Sequence, residues 1–324
     1  MTDHPGGRPL LAAYAALVCD LDGVVYRGPD PVAGAVEALL AATVPVLYAT
    51  NNASRPADTV AEHLRELGLE CTPEQVATSS EAAAWLLADR LDPGAEVMVV
   101  GGIGARLALE AAGFTPVTPA SCRAGESHPV AVLQGYGADV TASELSEAAY
   151  AVQDGALWVA TNTDATLPTD RGVAPGNGSL VAAVARAVGR GPDLVAGKPE
   201  APLYLLCARR LGLAVTSVLA IGDRLDTDIE GAVAAGADSL LVLTGVDDLE
   251  AVLAAPPHRR PTWVAPDLGF LHVDPSAAPV GASLADLAAA VAAVHDAHDR
   301  GAGADVVADL SAGAARVLAQ VTHG

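Results

Sequence analysis

Short apolar runs alternate with longer Ala-, Leu- and Glu-rich stretches along most of this chain, and that alternation constrains the fold more than any other feature. Ala16-Leu17-Val18-Cys19 reads as a buried strand, and the apolar run from Leu10 leads into it. Residues 33–42 read as a helix and 44–49 as the next strand. Pro56 and Asp58 open a helix that Gly68 closes. Val76-Ala77-Thr78 is a further strand, followed by a helix over 80–89. Repeated strand–helix units of this kind build a parallel, doubly wound sheet.

Asp92-Pro93-Gly94 interrupts the pattern, and a second α/β set follows. Its strands are predicted at 97–100, 130–133 and 157–160, and its helices at 105–112, 142–153 and 179–188. Gly189-Arg190-Gly191-Pro192 is the second break. A strand at 194–196 is then expected to resume the first pattern, with a helix at 201–211, a strand at 218–221, a helix at 229–235 and a strand at 240–243. The simplest organisation is one domain inserted in another. Residues 1–90 and 193–270 form the outer domain, 91–192 the insertion, and 271–324 a helical tail with Ser283 capping a helix over 284–294.

Composition excludes several classes of function. Lys plus Arg is 18 and Asp plus Glu is 39, a net charge of -21, so the chain repels phosphate backbones and anionic membrane surfaces. No run approaches the ~20 apolar residues of a membrane span. Leu10 to Cys19 imitates a short export signal, but its flank is poor and cleavage would destroy the strand. The four cysteines, at 19, 71, 122 and 207, form no CxxC pair, which argues against a disulfide framework or a structural zinc site. A cytoplasmic location is expected, and assembly as a homo-oligomer stays open.

Four predicted strand ends carry polar residues. Asp20-Leu21-Asp22-Gly23 follows the first, where two carboxylates could share a hard cation through oxygen; an ordinary Asp-Gly turn is the bland alternative. Thr50-Asn51-Asn52 follows the second and could hold phosphate oxygens, or could be an Asn-rich capping turn. Gly197-Lys198-Pro199 fixes one cation, which otherwise reads as a solvated lysine. Gly222-Asp223-Arg224-Leu225-Asp226-Thr227-Asp228 follows the fourth. Asp223 comes first after the strand and is the best metal ligand there. Asp228, further on, could hold a metal-bound water or Lys198, and Asp226 reads as capping or solvation.

In chain order these ends read DxD, TNN, GKP and GDxxxTD, and together they resemble the haloacid dehalogenase-like (HAD) superfamily of phosphohydrolases. The DGVVYRG continuation, TNN and GKP are similar to the subfamily with a large α/β cap, over roughly residues 14–250. The resemblance implies a Rossmann-like parallel-sheet core with an inserted cap and a Mg²⁺-dependent phosphatase. It implies Asp20 as the nucleophile that forms an aspartyl-phosphate, and Asp22 as general acid/base whose backbone carbonyl binds Mg²⁺. It implies Asp223 as the remaining protein ligand of Mg²⁺, Thr50, Asn51 and Asn52 as the phosphate loop, and Lys198 as the charge that orients Asp20. A carboxylate attacking a phosphate dianion independently needs a cation between them.

Val99 to Gly104 imitates a dinucleotide fingerprint, but Leu107 stands at its third position, so a strand-to-helix turn is expected instead. The substrate is expected to be a small phosphomonoester. The TNxDxxLP segment over 161–168 looks like the glycerol-3-phosphate/phosphoglycolate group, with Asn162 and Asp164 placed to bond polyol hydroxyls. Alternatives are a broad 4-nitrophenyl phosphatase, or a nucleotide, phosphoglycolate or pyridoxal phosphatase. From other classes come a non-catalytic nucleotide-binding module and a scaffold acting through the tail.

Overall fold

The computed structural model describes residues 8–169, 171–278 and 281–322. They form two compact units. One comprises the chain up to Tyr48, Leu64–Glu70 and everything from Cys207 onward; the other comprises Ala49–His63 and Cys71–Leu206. The second unit thus takes in more of the chain than the 91–192 span.

The first unit is built on parallel strands in the order Trp263–Ala265, Asp238–Val242, Val218–Gly222, Ala16–Cys19, Val46–Thr50. Val46–Thr50 leaves this unit after Tyr48; its last two residues belong to the second unit, as does the strand Val76–Thr78. Ala16–Cys19 is completely buried, as an all-apolar central strand of a parallel sheet should be. Its register pairs Cys19 with both Ile221 and Tyr48, and the Asp20 N–H donates to the Ile221 carbonyl at 2.8 Å. Asp20 and Gly222-Asp223 therefore leave the sheet side by side at its carboxyl edge.

Several sequence expectations change here. Leu10–Ala13 is a single 3₁₀ turn, not part of the strand; Pro9 starts it, and Leu10 and Leu11 are buried. The helix expected at 229–235 begins one π-helical turn earlier, at Leu225. Trp263–Ala265 adds an edge strand that three residues were too few to announce.

The tail folds into Leu284–Asp299 and Ala304–Thr322. Ser283 caps the former in a reciprocal box with Asp286. That helix docks on its own unit through the buried His295, whose Nε2 donates to the Val252 carbonyl at 2.7 Å, and through a bidentate Arg260–Asp299 pair.

The second unit holds an all-parallel sheet in the order Leu194–Val195, Leu157–Ala160, Ala131–Gln134, Glu96–Val100, Thr115–Val117. Leu194–Val195 thus extends this sheet and does not resume the first, because Val195 pairs with Ala160. Met98, Val100, Val132, Trp158, Val181 and Val184 form part of the core. The buried indole N–H of Trp158 donates to Gln134 Oε1 at 3.0 Å, which satisfies the indole in the dry interior. Thr166–Thr169, at the end of the TNxDxxLP segment, pairs antiparallel with Gly172–Pro175.

The fingerprint-like glycines have a packing role. A Cβ on Gly104 would lie 2.6 Å from the Ala53 carbonyl oxygen and 2.9 Å from that of Arg55, so the helix over Ile103–Ala111 reaches the loop after Asn52 only because residue 104 has no side chain. The Gly104 N–H donates to the Ser54 carbonyl at 3.3 Å across the same gap.

Two outcomes follow. Gly104→Ala forces backbone against backbone and should cost about 1–3 kcal/mol, read as a lowered melting temperature; Leu107→Ala, on the half-exposed face of that helix, should change little. Burial holds the His295 imidazole below its ordinary value of 6.5, so the unfolded chain takes up the proton first. Its contribution to stability is complete above about pH 6.5 and declines as the pH falls through that value. The urea midpoint should drop between about pH 7.5 and about pH 5.5, and His295→Gln should drop less over the same range.

Candidate active site

In the first unit, the parallel register brings together residues that lie two hundred positions apart in the chain. One carboxylate oxygen from each of Asp20, Asp223 and Asp228 lies within 4.8 Å of the others. Asp223 and Asp228 are 1% and 2% exposed, so water screens their mutual repulsion poorly. Three hard oxygen donors at this spacing suit a small divalent cation such as Mg²⁺, and a cation would relieve the concentrated charge.

Two of these carboxylates are aimed by backbone. The Val246 N–H donates to Asp223 Oδ2 at 2.8 Å, and the Arg224 N–H donates to Asp228 Oδ2 at 3.1 Å. Asp228 belongs to the π-helical turn Leu225–Ile229, whose wider coil turns it back toward the strand end. Asp226 points elsewhere and pairs with the exposed Arg224 guanidinium. The Asp22 carboxylate is exposed and lies outside the cluster; the expectation for metal binding concerned its backbone carbonyl.

The sequence reading overlooked the turn Thr244-Gly245-Val246-Asp247. Thr244 Oγ1 donates to the Gly23 carbonyl at 2.8 Å, the Asp247 N–H donates to the Asp223 carbonyl at 3.1 Å, and Asp247 Oδ2 accepts from the Leu225 N–H at 2.6 Å. This turn follows strand Asp238–Val242, so the carboxyl-end rule that found the other four segments would have found it too.

The second unit assembles the other predicted residues. Thr50 is buried, and its Oγ1 accepts from the Asn52 N–H at 3.1 Å. The Asn52 side chain accepts from Ser54 and closes a turn. Lys198 is 2% exposed, not a solvated lysine, and its Nζ donates to the Ala49 carbonyl at 3.2 Å. Asn51 lies against the Lys198 backbone and the Asp164 carboxylate. Asn162 is buried, with its Nδ2 donating to the Asn51 carbonyl at 2.8 Å and its Oδ1 accepting from the Asp164 N–H at 3.2 Å.

Comparison with known proteins places this geometry. A haloacid dehalogenase-like hydrolase model matches residues 17–115, and a HAD-hydrolase-like model matches 195–271. The chain is 50% identical over 267 residues to the D-glycerol 3-phosphate phosphatase of Mycobacterium tuberculosis, covering 82% of this chain and 73% of that protein. It is 36% identical to the acid sugar phosphatase of Staphylococcus aureus, covering 74% and 90%. The crystal structure of the M. tuberculosis glycerol phosphate phosphatase in complex with magnesium superposes with a TM-score of 0.78 at 48% identity, over 82% of this chain and 79% of that one. A 4-nitrophenylphosphatase from Thermotoga maritima gives a TM-score of 0.73 at 28% identity, over 81% and 98%. With the paired sheets, the acidic strand ends and these relatives in agreement, the chain belongs to the haloacid dehalogenase-like hydrolase family.

Proposed function

We propose that this protein is a Mg²⁺-dependent phosphomonoester hydrolase whose substrate is glycerol 3-phosphate. The observation that carries the reading is the cluster of Asp20, Asp223 and Asp228 at adjacent parallel strand ends. The substrate follows the 50% identity to a D-glycerol 3-phosphate phosphatase.

Asp20 acts as nucleophile. Its carboxylate oxygen bonds to phosphorus while the bond to the leaving alkoxide breaks. Asp22, exposed and outside the acidic cluster, gives the departing oxygen its proton. It then takes a proton from the water that attacks the aspartyl-phosphate, which returns Asp20 and releases inorganic phosphate. Asp20, Asp223, Asp228 and the Asp22 backbone carbonyl would hold Mg²⁺, which when bound offsets the phosphoryl charge. Lys198, buried and therefore fully felt, supplies further positive charge, and the Thr50 hydroxyl and Asn52 are the groups offered to the phosphoryl oxygens. The residues 91–192 act as the insertion that sets specificity. Scattered cysteines without a CxxC pair suit a reducing cytoplasm.

Hydrolysis of glycerol 3-phosphate should vanish in excess EDTA and return with Mg²⁺; full activity after verified metal removal would overturn the reading. Asp20→Asn should abolish turnover with an unchanged circular dichroism spectrum, and Asp22→Asn should lose about 10²–10⁴-fold in kcat. In a phosphomonoester panel, kcat/KM should be higher for glycerol 3-phosphate than for pyridoxal 5′-phosphate or a nucleoside monophosphate. Equal values would identify a broad phosphatase.

A further inference from the structure

The Asn51 carboxamide is used up within the protein. Its Oδ1 accepts from the Lys198 N–H at 2.8 Å, and its Nδ2 donates to the Lys198 carbonyl at 2.9 Å. The same Nδ2 lies 3.2 Å from both Asp164 carboxylate oxygens. A primary amide has two protons, and these partners take both. A phosphate oxygen would have to displace one of them. One side chain thus grips both polar groups of a backbone 147 residues away, as a neighbouring strand would.

The grip is itself held. The Asn51 carbonyl accepts from Asn162 Nδ2 at 2.8 Å and from Ser79 Oγ at 2.7 Å. Asn177 Nδ2 donates to the Asn162 carbonyl at 2.7 Å, and the Gly197 N–H donates to the Thr161 carbonyl at 2.7 Å. A Cβ on Gly197 would stand 2.6 Å from Asn51 Oδ1, so the approach needs glycine beside the lysine. Thr161, Asn162 and Asp164 therefore form one network with Asn51 and the backbone of Lys198.

We propose that Asn51 is a positioning residue for Lys198 and that Asn162 and Asp164 complete its brace. They do not serve as ligands of phosphate or of a substrate hydroxyl. The proposal rests on the phosphatase reading only for its kinetic consequence. A preorganised charge works because it is already in place, and a small misplacement of such a group is costly. The brace gives Asn51 an effect on kcat that passes entirely through Lys198.

The test compares wild type, Asn51→Ala, Lys198→Ala and the double variant on glycerol 3-phosphate and 4-nitrophenyl phosphate, with inorganic phosphate as competitive inhibitor. Asn51→Ala should lower kcat about 10–10²-fold on both substrates, with KM and the phosphate inhibition constant within about twofold of wild type. In the Lys198→Ala background it should cost less than about twofold more, because the two residues act as one unit. Asn51→Asp is isosteric and keeps the bond from the Lys198 N–H but loses both donations; it should show the same kcat loss, and it replaces Asn51→Ala if that variant does not fold. Phosphate inhibition weakened about tenfold or more, with an undiminished effect in the Lys198→Ala background, would make Asn51 a phosphate ligand and overturn the proposal. Amide hydrogen exchange over residues 195–200 gives a readout independent of turnover. Exchange at Lys198 should quicken in Asn51→Ala, and unchanged exchange overturns the brace. A wild type inactive on every phosphomonoester would instead defeat the phosphatase reading and leave the exchange result to decide the brace.

Discussion

Carboxylates repel one another, and a fold that gathers three of them within 4.8 Å must hold them there by something stronger than local preference. The holding is done by parallel pairing. Cys19 is in register with Ile221, and the Asp20 N–H donates to the Ile221 carbonyl, so the ladder itself continues to the first acidic residue. Both strands are buried along their whole length. A slip of one residue would turn every apolar side chain to the wrong face, so burial pins the register and the register pins the acids. The Thr244–Asp247 turn then orients Asp223 and the Gly23 carbonyl from the next strand.

A different device serves the buried Lys198 cation. Lys198 sits on a connection, not in a strand, and receives its constraint from side chains instead of a ladder. Asn51 supplies the missing neighbour by bonding both backbone groups of Lys198. Asn162 and Asn177, and Ser79 at the start of helix Ser79–Ala88, fasten that contact from the other side. Small residues make the arrangement compact: Gly197 admits the Asn51 amide, and Gly104 admits the loop that follows it. The apparent dinucleotide fingerprint is thus a consequence of close packing.

Much of this was legible in the sequence. Period and punctuation located most of the strands and helices of both sheets, because short apolar runs alternating with longer helical stretches and bounded by Gly and Pro have few other readings. The chemistry of DxD, TNN, GKP and GDxxxTD was legible because strand ends in parallel sheets are where ligands are met. The short strands Thr115–Val117 and Trp263–Ala265 were not, since three residues carry no usable period. The π-helical turn was not either, because nothing in Leu225 to Ile229 marks a wider coil.

Residue types and their order along the chain determined which groups could act: Asp20, Asp22, Lys198, Asp223 and Asp228 are ionisable wherever they stand. Tertiary structure alone decided how each is used. It put Asp228 in the acidic cluster, buried Lys198, assigned Leu194–Val195 to the second sheet and saturated the carboxamide of Asn51. The physical reason is common to all four. Hydrogen bonds and burial depend on partners more than a hundred residues away or on the exact coil of one turn, and a one-dimensional pattern contains neither.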